Sequence, residues 1–152
     1  MLFLSTYINK IDKKGRVSVP ANFRSIIRKD EFQGVVAYGS FIHNSIEACN
    51  MERIASINET IDSLDPYSEE RDAFATAIFG GSYQLAFDND GRISLPEGLL
   101  ELASLKDKAL FVGKGKTFEI WNPDNFKSYE ENARKLALEK RSVLRVNKSL
   151  KE

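Results

Sequence analysis

Apolar and polar positions alternate twice along this chain in the same short rhythm, and each time the run ends at a proline. Residues 6–11 alternate as a strand, residues 12–15 form a tight turn, and residues 16–19 return as a second strand with Val17 and Val19 on one face. The turn reads Asp-x-x-Gly, in which Asp bonds its own backbone and Gly takes a positive φ without penalty. Pro20 then opens a short helix over 21–29, because proline suits the first helical position, where no N–H bond is lost. Phe23, Ile26 and Ile27 give that helix its apolar stripe. Two further strands, 34–38 and 45–49, follow as a hairpin. Asn50 caps a helix over 51–64, with Ile54, Ile57, Ile61 and Leu64 at helical spacing, and Asp65-Pro66 ends it. Ser68 caps another over 69–79, closed by Gly80-Gly81, so the two make a helical hairpin. After it, strand, turn, strand, Pro96 and short helix recur. A last strand over 117–121 leads into Asn122-Pro123 and a long helix ending near Arg145, with a charged tail whose end frays.

The recurrence is in register. Asp12, Gly15, Arg16, Ser18 and Pro20 return 76 residues later as Asp88, Gly91, Arg92, Ser94 and Pro96, and 7–27 aligns on 83–103 without a gap. With a turn four residues longer in the first copy, 45–50 also aligns on 117–122. Each copy is one supersecondary unit, and two copies are too few for a solenoid. The expected architecture is therefore an α+β pseudo-twofold pair of ββαββ units sharing one core. The boundaries fall at 5–52 for the first unit, 53–80 for the helical hairpin, 81–124 for the second unit and 125–152 for the C-terminal helix and tail.

Charge adds a direction to this plan. The chain is neutral overall, but residues 1–29 carry seven bases against Asp12 alone, while residues 30–79 carry ten acids against Arg53 and Arg71. A basic N-terminal unit on an acidic body points to one face for a polyanion. The longest charge-free stretches are 15 residues, too short for a membrane span, and the start lacks the basic region of a secretory signal. The single cysteine, Cys49, makes no internal disulfide and fits a reducing compartment. A cytoplasmic protein is expected.

The run Asp12-x-x-Gly15-Arg16-Val17-Ser18-Val19-Pro20-x-x-Phe23-Arg24, the partner Asp88-x-x-Gly91-Arg92, and Phe118-Glu119-Ile120-Trp121 ahead of a helix together resemble the MraZ family. The likeness runs from about Ser5 to Phe126. It implies a bacterial transcriptional regulator of two fused AbrB-like units packed as a double-split β-barrel. It further implies a ring-shaped homo-oligomer, an octamer or dodecamer, that binds double-stranded DNA. Short direct repeats in the promoter of its own division and cell-wall gene cluster are the implied target. The implied protein is nucleoid-associated and uses no cofactor and no metal. The family's DNA-contacting Asp-x-x-x-Arg motif carries over to Asp12, Arg16, Asp88 and Arg92. A runner-up reading is an AbrB-like protein-interaction scaffold or antitoxin.

The chemistry of these residues supports such a role. Arg16, just past an exposed turn, is a rigid fork able to pair with guanine O6 and N7. Lys13 and Lys14 on the turn and Lys10 behind it would hold phosphates, and Arg24 belongs to the same basic set. Asp12 repels phosphate, so its expected value is positional: it orients Arg16 or bonds the turn's N–H groups. The second turn carries an extra acid, Asp90, and no lysines, so weaker DNA contact is expected there.

Enzyme chemistry fits poorly. One Asp per half evokes a two-lobed aspartic protease, but no hydroxyl residue and Gly follow either Asp, and cations crowd the first. An EF-hand frame laid from Ala86 lacks the Asp at its first position. His43 has no nucleophile to serve and is expected in a surface turn, whereas Cys49, Phe118 and Trp121 are expected in the core, the two aromatics alternatively at a subunit contact. The helical hairpin, acidic outside, is expected to act as a spacer or oligomer surface.

Overall fold

A computed structural model describes residues 1–145 and divides the chain into two compact units, 1–122 and 123–152. The first unit contains β1 (Thr6–Lys10), β2 (Arg16–Ser18), α1 (Ala21–Ile27), β3 (Gly34–Gly39), β4 (Ile46–Cys49), α2 (Met51–Asp62) and α3 (Glu69–Phe74). It continues with β5 (Tyr83–Ala86), β6 (Arg92–Ser94), α4 (Glu97–Leu102), β7 (Lys108–Gly113) and β8 (Phe118–Trp121). The second unit holds α5 (Pro123–Glu139), in which the Phe126 and Tyr129 rings lie 6.1 Å apart. The regular run of α5 stops at Glu139, short of the expected end, and a break at Lys140-Arg141 precedes a helical turn that reaches Arg145. The expected fraying beyond Arg145 lies outside the described residues.

Local capping follows the sequence. Asn50 Oδ1 accepts the Arg53 N–H at 2.9 Å to start α2, and Ser68 Oγ accepts the Arg71 N–H at 3.2 Å to start α3. Pro20 and Pro96 stand one position earlier than expected. Their ψ angles of 138° and 151° are extended, so each is the residue before its helix instead of the first one in it. The helix begun by α3 widens into a π-helical stretch, Ala75–Gly80, and Ile78 there packs with Ile61 and Tyr38 in a small cluster.

Strand pairing overturns the expected hairpins at the two Asp-x-x-Gly turns. β1 and β2 flank one turn but share only an isolated bridge, Ile11 with Val17. β1 instead pairs antiparallel with β7, and β2 with β6 from the other half. The reason lies in the turns: the Gly15 carbonyl accepts the Leu95 N–H at 2.9 Å, and the Gly91 carbonyl accepts the Val19 N–H at 3.2 Å. Each turn is thus bonded into the opposite half of the chain. The large sheet runs β1-β7-β8-β4-β3-β5, an order that reads the same from either end once the halves are exchanged. β3 and β4 do form the expected hairpin.

The main core lies between the six-stranded sheet, the β2–β6 ribbon and the short helices. Phe23 of α1 sits at its centre, with the rings of Phe3, Tyr7 and Phe118 at 5.3, 5.6 and 4.9 Å. Val17, Val19, Ile93 and Leu95 come up from the ribbon and are buried beside Ile46, Phe111 and Ile120 from the sheet. Cys49 is fully buried, and loss of hydration there pushes its thiol up to about 12. Trp121 is also buried and lies 5.0 Å from His43, ring to ring. Among the described residues, no helix is long and apolar enough to cross a membrane.

Candidate nucleic-acid interface

The two turns share one chemistry. Asp12 Oδ1 accepts the Lys14 N–H at 3.0 Å and the Arg16 N–H at 2.9 Å, while Oδ2 accepts from Arg16 Nε at 2.7 Å. Asp88 does the same toward Asp90 N, Arg92 N and Arg92 Nε, at 2.9, 2.9 and 2.8 Å. Gly15 and Gly91 complete the turns at φ +81° and +75°, left-handed values that strain any side chain. Backbone donors from the arginine, then its side chain, hold both carboxyls below the ordinary 3.8. Asp12 and Asp88 therefore stay ionised at neutral pH and serve both expected positional roles at once, binding the turn and orienting the arginine.

The ribbon brings the two arginines together. Arg16 stands opposite Ser94 and Ser18 opposite Arg92 in the β2–β6 register. Side chains alternate along a strand, so the buried Val17 and Ile93 face the core while Arg16 and Arg92 share the outer face as diagonal neighbours. A two-stranded ribbon of this width is one of the elements the major groove of B-DNA admits. The two guanidinium groups differ in freedom. Arg16 meets Asp12 through Nε, whereas Arg92 meets Asp88 through Nε and Asp90 through Nη2 at 3.4 Å, so its fork is partly engaged.

Lysines cluster on the Arg16 side. Lys13 and Lys14 are exposed on the first turn, and Lys10 lies opposite Lys108 in the β1–β7 ladder. A groove beside the turn is lined by Lys13, Lys14 and Lys106 together with Glu97 and Glu101 of α4. Lys106 and Lys108 escaped the sequence reading. Their signal, a Lys-Asp-Lys run before a strand, means nothing until β7 is known to lie against β1. Arg24 sits apart from this cluster. Its Nη1 donates to the Val19 carbonyl at 2.5 Å, and its guanidinium lies against Gly91 in the other turn.

Fold and site together define an α+β protein with a half-buried, outward-facing pair of arginines on a two-stranded ribbon flanked by lysines on one side. Comparison of the sequence sharpens that class. A model of the family described as "MraZ protein", antitoxin-like, matches residues 78–146. A protein of Rickettsia bellii (strain OSU 85-389) named "Transcriptional regulator MraZ" is 56% identical over 145 residues, 95% of this chain and 97% of that protein. Proteins of the same name from Rickettsia akari (strain Hartford) and Rickettsia rickettsii (strain Sheila Smith) are 53% and 54% identical over 144 residues, at the same coverage of both chains. The chain belongs to the MraZ family.

Proposed function

We propose that this chain is a DNA-binding transcriptional regulator that presents the β2–β6 ribbon to duplex DNA. The observation that carries the reading is the placement of Arg16 and Arg92 on one outward face. Arg16 has the less engaged fork and is the chief reader of base edges, and Lys10, Lys13, Lys14, Lys106 and Lys108 hold the phosphates beside it. Asp12 and Asp88 fix the two arginines in direction. Arg24 supports the second turn from behind, and Asp90 weakens that turn's attraction for phosphate. The names of the relatives support the regulatory role.

The finer architecture belongs to the same proposal. The palindromic strand order and the interlocked turns support a double-split barrel derived from duplicated AbrB-like units, 5–52 and 81–124, with 53–80 as the inserted hairpin and 125–152 as the C-terminal segment. One ribbon makes few contacts, so a homo-oligomeric ring, an octamer or dodecamer, gains avidity on tandem direct repeats, roughly 10²–10⁴-fold, through effective concentration. The target is the promoter of its own division and cell-wall cluster, in a cytoplasmic, nucleoid-associated setting.

The test is a gel shift with the DNA upstream of this protein's own gene. Arg16→Ala is expected to lose the sequence-specific shift while ultracentrifugation shows an unchanged oligomer. Wild-type binding by that variant overturns the assignment. The antitoxin-like description of the family favours a second reading, a scaffold for a protein partner, and that reading predicts no sequence-selective, steeply salt-dependent shift.

A further inference from the structure

A second cationic feature lies away from the ribbon. A cavity of about 410 Å³ is lined by Lys29 just past α1, Arg53 in the first turn of α2, and Lys116 in the β7–β8 turn. Met1 and Ile26 supply an apolar flank, and the carboxylate there is Glu52. Its position is set by the β1–β7 ladder. Lys10 and Lys108 mark the end nearest the first Asp-x-x-Gly turn, and Lys116 follows the other end of β7. Six residues of strand separate the two ends by roughly 17–20 Å.

Three cations against the single carboxylate of Glu52 leave the cavity lining net positive, a balance that a further anion would offset. Among the described residues, Lys29, Arg53 and Lys116 enter no ion pair within 4.0 Å, and the Arg53 charge acts on Glu47 only from beyond that distance. Arg53 Nε is also buried and meets no acceptor among the described residues. Such a donor costs free energy until an acceptor reaches it. The Asp30 carboxylate already caps α2 at the Met51 and Glu52 N–H groups, at 2.8 and 3.2 Å, so the helix end itself is satisfied and the side-chain cations are what remain.

We propose that this cavity binds a small phosphorylated organic anion of about mononucleotide size, with its phosphate held by Lys29, Arg53 and Lys116. Arginine and lysine together suit a phosphate, one as a planar fork and the others as mobile point charges. The volume lies within the range of small-molecule pockets, and the Met1–Ile26 side receives the ligand's organic part. DNA backbone phosphate is the competing source of the same chemistry.

Isothermal titration of the full chain with AMP, glucose 6-phosphate and inorganic phosphate tests the proposal without reference to promoter binding. At least one organic phosphate is expected to bind once per chain and at least tenfold tighter than inorganic phosphate. The Lys29→Ala/Lys116→Ala variant, which removes two exposed side chains, is expected to weaken it at least tenfold, and Arg53→Met, which keeps the packing stem, likewise. Thermal melts confirm that each variant is folded. The proposal is overturned if neither organic ligand binds, if inorganic phosphate binds as tightly, or if the lysine variant titrates as wild type. It is equally overturned if only a DNA duplex responds to the lysine substitutions.

Discussion

Arg24, from the first half of the chain, lies with its guanidinium against Gly91 of the second-half turn; its sequence counterpart Leu100 lies against Gly15 of the first. The two crossings are equivalent in place and different in chemistry. A Cβ on Gly91 would stand 2.7 Å from Arg24 Cζ, and the φ of +75° strains any side chain besides. Gly91→Ala is therefore expected to lower stability by about 1–3 kcal/mol in urea denaturation. Part of that loss is the clash, so the effects of Arg24→Ala and Gly91→Ala are expected to add to less than their sum. Full additivity would mean that the contact between them is energetically empty.

The lysines on the Arg16 side make a prediction about salt. Each lysine that neutralises a phosphate contributes close to one counterion to the salt dependence of DNA affinity. Lys106→Ala and Lys108→Ala are expected to reduce the slope of log K against log salt by about 1 each, with sequence preference retained. Arg16→Ala is expected to erase the preference instead. Fluorescence anisotropy across a salt series separates the two behaviours, and an unchanged slope in both lysine variants would remove them from the interface.

Acid stability rests partly on the two turns. Asp12 and Asp88 have folded values below the ordinary 3.8 because the backbone N–H groups of Arg16 and Arg92, then their side chains, favour the carboxylate. A lowered carboxyl value stabilises the fold above pH 3.8, and that stability disappears as pH falls through the lower folded value. The Asp12→Asn/Asp88→Asn variant is expected to be less stable at pH 7 and to show a flatter decline below pH 4. Parallel acid limbs for variant and wild type would contradict this.

Glu47 works in the opposite sense. It stands opposite Glu119 in the β4–β8 ladder, and burial first, then the charge of Glu119, raises its carboxyl above the ordinary 4.5. The hydrogen bond from Tyr38 and the charges of Lys114 and Arg53 offset only part of this. A raised acid favours the fold below pH 4.5 and loses that contribution as pH rises through the folded value. Glu47→Gln is thus expected to raise Tm at pH 7 and to change it little at pH 4. Glu119 is held differently, by Lys114 Nζ at 3.0 Å and by Trp121 Nε1 at 2.8 Å, so Glu119→Gln is expected to lower Tm at pH 7.

What the sequence made legible was local. Asn50 and Ser68 announce helix starts because their side chains reach N–H groups three residues on, and Asp12 announces a turn because its carboxylate reaches the N–H groups of Lys14 and Arg16. The destination of the strands was not legible. An Asp-x-x-Gly turn specifies a reversal, but the Gly15 carbonyl finds its donor on Leu95, and no nearby residue records that choice. Without that pairing, Arg16 and Arg92 read as two separate tips instead of one ribbon, and Lys106 and Lys108 read as ordinary surface charge. Arg24 looked like a free cation because the Gly91 turn that receives it lies 67 positions downstream.

The pairing of Val17 with Ile93, 76 positions apart, also sets a schedule. Pairings this distant in sequence form late, since a long loop must close before they return any free energy. A nascent chain emerging from the ribosome holds no finished ribbon until both halves are out. A fragment that stops at the end of α3 lacks β6 and is therefore expected to form no ribbon, however well its own helices form.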